Sequence, residues 1–152
     1  EMRALILVVA LAACSPQPPV TQEDPAPPAT TSDAPNPTET ALAEMPTWET
    51  ARAVGVDFRA VGQEPGWIID IYTADRIVAL IDYGQTRIEF PRGAPSYPAE
   101  GATRYQAQTQ GHTLSITYRR APCEDAMSGQ PYPSTVEVVI DGRTLNGCGR
   151  SV

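Results

Sequence analysis

The sequence predicts an all-β domain: a small antiparallel barrel or a barrel-like sandwich of about eight short strands. Apolar and polar residues alternate in several short segments, as in residues 56–60. Residues typical of tight turns, such as Asp141-Gly142, separate these segments. About 100 residues remain for packing once a Pro-rich N-terminal part is set aside, which is enough for one modest core.

The elements are predicted in a simple order along the chain. Residues 47–53 favour two turns of helix, with Thr47 as the N-cap. Hairpins are predicted to turn at Gln110-Gly111 and at Asp141-Gly142, because these pairs accept the positive φ angles of a type I′ turn. Bulky side chains such as Trp67 predict a filled interior. The predicted strands span residues 56–60, 67–72, 77–83, 87–90, 105–109, 113–118, 135–140 and 143–145.

Residues 1–13 have the features of a bacterial signal peptide. One Arg precedes a run of apolar residues that is far shorter than the roughly 20 residues of a membrane span. The run ends in LAAC at residues 11–14, which resembles the bacterial lipobox. The resemblance implies that a lipid is attached to the Cys14 thiol and anchors the protein to a membrane. Ser15 resembles an outer-membrane signal, which implies a cell-envelope protein facing the periplasm.

Residues 14–46 are predicted to form a disordered stalk. Nine of the 16 prolines lie here, and apolar side chains are few and small. Such a segment cannot bury enough surface to offset the entropy of ordering it. Its predicted role is to hold the folded domain, residues 47–152, away from the lipid surface. A Pro-rich ligand for a partner domain is less favoured, because no repeated P-x-x-P core with basic flanks occurs.

Negative charge is concentrated in the N-terminal part of the chain. The net charge is −7, of which residues 14–53 carry −5 and residues 54–152 carry −2. A nearly neutral domain without a basic patch predicts no nucleic-acid partner. All eleven basic residues are Arg, so chemistry that needs a Lys, such as Schiff-base formation, is excluded.

Two cysteines remain once Cys14 is assigned to a lipid. The cell envelope is oxidising, so Cys123 and Cys148 are predicted to form a disulfide. Gly147 and Gly149 flank Cys148 and are predicted to let its backbone approach the loop after Cys123.

No catalytic arrangement is evident in the sequence. His112 is the single histidine and is interpreted as a solvated turn residue. There is no G-x-S-x-G nucleophile turn, and the clustered His or Cys residues of zinc and copper sites are absent. Asp70, Asp75 and Asp82 are interpreted as solvent-facing charges or turn formers, with a carboxylate pair for glycoside hydrolysis as an open alternative. We therefore predict a protein that is not an enzyme and uses no metal or cofactor.

Two segments are more specific than ordinary strands. Residues 58–67 read FRAVGQEPGW, and residues 122–133 read PCEDAMSGQPYP, followed by GCG at 147–149. Together they resemble a family of uncharacterised bacterial envelope lipoproteins with the motifs F-x-A-x-G-x-E-P-x-W, P-C-x-D-x-M-S-x-x-x-Y-P and G-C-G. The resemblance covers about residues 56–150 and implies no established activity. Members often have an aromatic residue where this chain has Gly66 and Ser134.

These segments supply the main candidate binding or motif residues: Glu64, Trp67, Asp125, Ser128 and Tyr132. Glu64 begins a predicted turn, after which Trp67 enters the core. Glu64 is predicted to accept hydrogen bonds from backbone amides or to pair with an Arg such as Arg59. Asp125 and Ser128 are predicted to bond backbone N–H groups in the loop after Cys123.

A second resemblance concerns residues 100–105, EGATRY. They resemble in part the S-G-x-x-Y element of the membrane-bound inhibitors of c-type lysozyme, which are small lipoprotein β-barrels with a disulfide. Those inhibitors place a Ser and a Lys in the lysozyme cleft, whereas Glu100 stands at the Ser position here. Arg104 can replace the Lys in charge but not in geometry. Arg104 and Tyr105 are therefore candidate binding residues, and lysozyme is a candidate partner.

These observations favour a non-enzymatic binding or structural lipoprotein of the outer membrane. Its expected partners are the membrane, through the Cys14 lipid, and an envelope protein. Two alternatives stay open: a lysozyme-inhibitor-like protein, and a barrel that binds a small ligand in its interior.

Overall fold

The computed structural model describes residues 41–152. The predicted signal peptide, Cys14 and the predicted stalk up to residue 40 lie outside the described residues. Thr47 caps the helix α1 (Trp48–Ala51), as predicted, because its Oγ1 accepts a hydrogen bond from Thr50 N at 3.4 Å. The strands are β1 (Val56–Gly62), β2 (Trp67–Tyr72), β3 (Arg76–Ile81), β4 (Thr86–Pro91), β5 (Ala102–Thr109), β6 (His112–Glu124), β7 (Pro131–Ile140) and β8 (Arg143–Ser151).

The eight strands form one antiparallel sheet in the order β4-β3-β2-β1-β8-β7-β6-β5. Because β1 pairs with β8, the sheet curls into a nearly closed up-and-down barrel. This confirms the predicted all-β fold. A strand lies at each predicted place, although the strand predicted over residues 77–83 ends at Ile81. The two hairpin turns are confirmed as well. Gln110 and Gly111 have φ angles of 39° and 84°, and Asp141 and Gly142 have 49° and 79°, which is the pattern of a type I′ turn.

The strands β4 and β5 are the two edges of the sheet and do not pair with each other. Arg92, which follows β4, bridges this gap with side-chain contacts. Its guanidinium donates to the carbonyl oxygens of Tyr72 at 2.6 Å and Thr73 at 2.7 Å. It also donates to the Tyr105 hydroxyl at 2.7 Å and lies 3.6 Å from an Asp57 carboxylate oxygen. One side chain therefore links β1, the β2–β3 turn and β5.

The interior of the barrel is a packed core, as the bulky side chains predicted. Inward-facing residues of all eight strands contribute to it. Trp67 is 3% exposed, so it enters the core as predicted. The largest fully buried side chains of this interior are Phe90, Ile69, Ile71, Ile77, Ile116 and Ile140.

Glycines on β8 make room for the aromatic residues of this core. A Cβ at position 147 would clash with the Val61 carbonyl oxygen and would lie 2.7 Å from the Trp67 ring. A Cβ at position 149 would lie 2.5 Å from the Phe58 ring. Both glycines therefore face the interior. The Gly147 carbonyl oxygen lies 3.4 Å from Cys123 Sγ, so the backbone approaches Cys123 closely at this glycine, as predicted.

Gly147→Ala is expected to lower the free energy of unfolding by about 3 kcal/mol, at the upper end of the cost of overpacking a core. Urea denaturation of the full chain measures this loss. Gly93→Ala is the matched control, because its Cβ would lie 3.6 Å from the Gln106 carbonyl oxygen, an ordinary contact. An equal loss of stability in the two variants would contradict the assigned role of Gly147.

A second, smaller cluster lies on the outer face of the barrel. The N-terminal segment contributes Met45 and Ala51, and the outer faces of β2 and β3 contribute Tyr72, Val78 and Leu80. Met45 is 9% exposed, although the sequence places it in the stalk. The folded domain therefore begins before the predicted boundary at residue 47, because an apolar outer face is available to bury this segment.

A buried ion pair joins β1 and β2 beneath the same segment. Arg59 Nε lies 2.6 Å from Asp70 Oδ1 and Arg59 Nη2 lies 2.7 Å from Asp70 Oδ2. Arg59 Nη2 also donates to the Pro46 carbonyl oxygen at 2.7 Å. The prediction that Asp70 faces solvent is wrong, since the N-terminal segment covers it completely. Asp75 is exposed, as predicted, and Asp82 is partly exposed and pairs with Arg143 at 2.9 Å.

Candidate functional site

A groove of about 380 Å³ lies on the outside of the barrel and brings the two motif segments together. We call it the outer groove. Four residues that the sequence singled out line it: Trp67, Asp125, Ser128 and Tyr132. Its other lining residues come from the N-terminal segment, from β1 to β3 and from two turns: Leu42, Val61, Gly62, Gln63, Gly66, Ile68, Leu80, Tyr83 and Gly84.

The apolar part of the outer groove follows from strands that are apolar on both faces. Ile68 and Leu80 oppose each other on β2 and β3 and point away from the barrel interior. Leu42 is 53% exposed and Tyr83 is 59% exposed, so the edge of the groove offers apolar surface to solvent. A partly open apolar surface of this kind is typical of a binding site.

One wall of the outer groove is the loop between β6 and β7. Asp125 Oδ2 accepts hydrogen bonds from Ser128 Oγ at 2.6 Å and from Ser128 N at 2.9 Å. Gln63 Nε2 donates to Asp125 Oδ1 at 3.3 Å. The bonds from Ser128 are the main reason that the pKa of Asp125 lies below its usual value. Asp125 therefore remains ionised, and it orders the loop as predicted.

A disulfide fastens this loop to the barrel. Cys123 and Cys148 are bonded, with their Cα atoms 5.5 Å apart, which confirms the predicted pair. Cys123 lies at the end of β6 and Cys148 lies on β8, so the bond joins the end of β6 directly to β8. The loop wall is thereby held against the outer face of β8 and β1.

Aromatic and cationic side chains stack behind Tyr132. Its ring centroid lies 6.1 Å from that of Trp48. The Arg150 guanidinium lies 4.2 Å from the Trp48 ring and 5.8 Å from the Tyr132 ring. Arg59 approaches Trp48 from the barrel side at 5.0 Å. These cation–π contacts hold the N-terminal segment and Tyr132 in one layer.

Glu64 sits at the opposite rim of the outer groove. It does not pair with Arg59, because Asp70 already occupies that guanidinium. It accepts a hydrogen bond from the Tyr83 hydroxyl at 3.2 Å instead. This bond is the main reason that the pKa of Tyr83 is raised. Glu64 thus fixes the Tyr83 ring at the edge of the groove.

The remaining candidate residues lie elsewhere. Tyr105 is 3% exposed and belongs to the barrel core, where it bonds Arg92. Arg104 is half-buried on β5 and donates from Nε to Thr117 Oγ1 at 2.9 Å. His112 begins β6, directly after the turn at Gln110-Gly111. Its Nδ1 lies 2.7 Å from an Asp141 carboxylate oxygen. That contact, and a hydrogen bond from Thr113 N to Asp141 Oδ1 at 2.8 Å, keep the pKa of Asp141 below its usual value. Neither Arg104 nor Tyr105 contributes to the outer groove.

Sequence reasoning missed the apolar residues of the groove. The sequence places Leu42 in the predicted stalk and Tyr83 at the end of a predicted strand, whereas Tyr83 lies in the turn after β3. A signal was present, because β2 and β3 carry apolar residues on both faces. A strand of this kind indicates that both of its faces are covered.

The fold and the site define a class of protein: a filled up-and-down β-barrel with an external groove closed by a disulfide-bonded loop. No family model, curated protein or solved structure matches the chain. Within residues 41–152, no helix is long and apolar enough to cross a membrane. The same residues contain no group of His, Cys, Asp and Glu side chains that could hold a metal ion.

Proposed function

We propose that this protein is a non-enzymatic binding lipoprotein, anchored to the outer membrane through Cys14 and facing the periplasm. The binding site is the outer groove, and the partner is an envelope protein. The observation that carries the proposal is the convergence of residues from distant parts of the sequence on one apolar groove. The resemblance of both motif segments to envelope lipoproteins supports the proposed location.

The charges beside the groove favour a partner segment with basic residues. Glu64 lies at one rim, and Glu124 lies next to the loop wall, within 3.9 Å of the Cβ that Gly129 would carry. Neither carboxylate forms an ion pair with a basic residue within the described part of the chain. A partner that inserts an apolar side chain and places Lys or Arg beside it complements both features.

The geometry favours this function over the two alternatives. The lysozyme-inhibitor alternative depends on Arg104 and Tyr105. Tyr105 is buried and Arg104 is bonded to Thr117, so the two residues form no protruding element that could enter a cleft. A ligand inside the barrel would have to displace the packed residues of the core, at a cost of several kcal/mol.

Cys14→Ala tests the anchor. Loss of the lipid removes most of the apolar surface that binds the protein to the membrane. We expect the variant to leave the outer-membrane fraction, or to keep its signal peptide, in fractionated cells. A variant that stays in that fraction at the mature size would contradict the lipoprotein assignment.

Site-specific photocrosslinking in the intact envelope tests the groove. A photoreactive residue at position 83 is expected to capture a protein through an apolar segment that contains Lys or Arg. Position 54 is the matched control, because Val54 is 54% exposed and does not line the groove. Equal capture at both positions, or capture through an acidic segment, would contradict the proposal.

A further inference from the structure

A second cavity lies at the mouth of the barrel, apart from the outer groove. We call it the mouth cavity; its volume is about 760 Å³. Its floor is formed by Phe58 and Tyr118, whose rings stack with centroids 4.0 Å apart. The mouths of β-barrels are common places for small-molecule sites, and this volume lies within their usual range of roughly 300–1,000 Å³.

The mouth cavity has an ordered wall. Residues 97–101 of the connection between β4 and β5 lie over it. Arg120 N donates to the Gly101 carbonyl oxygen at 3.0 Å. Ser96 and Arg104 exchange two backbone hydrogen bonds of 2.8 Å each. These bonds fix the wall before any ligand arrives, which lowers the entropy cost of binding.

Three charged side chains line the mouth cavity: Glu100, Arg120 and Arg150. The Arg150 guanidinium already lies 4.2 Å from the Trp48 ring, so Glu100 and Arg120 are the two charges considered for a ligand. Glu100 precedes Gly101, whose carbonyl is bonded to Arg120, so the two charged side chains start from adjacent positions. Neither forms an ion pair within residues 41–152. Hydroxyl groups lie nearby, because Thr103, Tyr118 and Ser134 also line the cavity. The cavity therefore offers two cations, one anion and hydroxyls above an aromatic floor.

We propose that the mouth cavity binds a free α-amino acid with a large apolar side chain. The ligand carboxylate pairs with the Arg120 guanidinium, because this fork geometry suits carboxylates. The ligand ammonium pairs with the Glu100 carboxylate. The apolar side chain lies against Phe58 and Tyr118, and the exposed ring of Tyr97, which is 73% exposed, covers it from solvent.

The ligand must carry both charges for this arrangement to be satisfied. An anion alone cannot pair with Glu100, and a cation alone cannot pair with Arg120 or Arg150. Each such ligand forgoes one charge-assisted hydrogen bond that an amino acid makes, which weakens its binding. This requirement separates an amino acid from a simple anion or a simple amine.

Titration of L-phenylalanine into the isotopically labelled full chain, followed by NMR, tests the proposal. We expect shifts at Thr103, Tyr118 and Ser134 with a dissociation constant on the order of 1 mM, typical of so small a ligand. Hydrocinnamate lacks the ammonium and phenethylamine lacks the carboxylate. Both are expected to bind about tenfold more weakly than L-phenylalanine.

Single substitutions test whether Arg120 and Glu100 each contribute to the affinity for the ligand. Arg120→Gln and Glu100→Gln are each expected to raise the dissociation constant about tenfold. Arg119→Gln and Glu137→Gln are the matched controls, because both residues are exposed on neighbouring strand positions outside the mouth cavity. Their affinity for L-phenylalanine is expected to be unchanged.

Three results would overturn the proposal: no shifts with L-phenylalanine, equal binding of hydrocinnamate, or shifts confined to the outer groove. Unchanged affinity in Arg120→Gln would overturn it as well. Because the probe and the reporting residues belong to the mouth cavity, each of these results leaves the outer groove and its proposed partner unaffected.

Discussion

Asp70→Ala is expected to lower the free energy of unfolding by about 3–5 kcal/mol. The change leaves the Arg59 guanidinium buried, with Pro46 O as its remaining hydrogen-bond acceptor. A buried charge without its counter-ion costs several kcal/mol, which is a large share of the 5–15 kcal/mol typical of a whole domain. Urea denaturation of the full chain measures the loss.

Two further variants test whether the lost charge pairing is the cause. Asp75→Ala, at the exposed turn after β2, is expected to change the free energy of unfolding by less than about 0.5 kcal/mol. The double variant Arg59→Met with Asp70→Leu removes both charges and keeps the volume. It is expected to recover most of the stability. A double variant as unstable as Asp70→Ala would contradict the assignment, because the loss would then come from packing.

Removing the disulfide is expected to cost about 3.5 kcal/mol, the entropy of closing a loop of about 26 residues in the unfolded chain. The double variant Cys123→Ser with Cys148→Ser is compared with the unchanged protein by urea denaturation. The disulfide also holds one wall of the outer groove. The double Ser variant is therefore expected to capture less partner through a photoreactive residue at position 83.

Reductant provides the control for this prediction. Dithiothreitol is expected to lower the stability of the unchanged protein to that of the double Ser variant and to leave the variant itself unchanged. Two free thiols in the unfolded, unreduced protein would contradict the disulfide. Equal stability of variant and unchanged protein would contradict its role in holding the fold.

The fold could be predicted because its main signals are local. Alternation along strands such as β1 reports which face is buried, and the pairs Gln110-Gly111 and Asp141-Gly142 carry their turn geometry in two residues. The disulfide could be predicted from the number of cysteines and from the oxidising cell envelope that the lipobox resemblance implies. Each of these inferences uses residues close in sequence, or residues whose chemistry leaves few alternatives.

The site could be predicted only in part, because it depends on contacts between distant segments. Asp125 and Ser128 interact within one loop, so their bond was visible in the sequence. Asp70 faces away from the barrel interior, and only the path of the N-terminal segment decides that it is buried. The partner of Glu64 is Tyr83, which lies 19 positions away, and no local rule selects it among several candidates.

Peptide titration into the full chain, followed by NMR, tests the outer groove most directly. The probe is acetyl-Lys-Leu-Phe-Lys-amide, and the control is acetyl-Glu-Leu-Phe-Glu-amide. We expect the basic peptide to shift Ile68, Leu80 and Tyr83, the acidic peptide to bind at least about tenfold more weakly, and Glu64→Arg to weaken binding of the basic peptide. Equal binding of both peptides, or shifts spread over the surface outside the groove, would contradict the account.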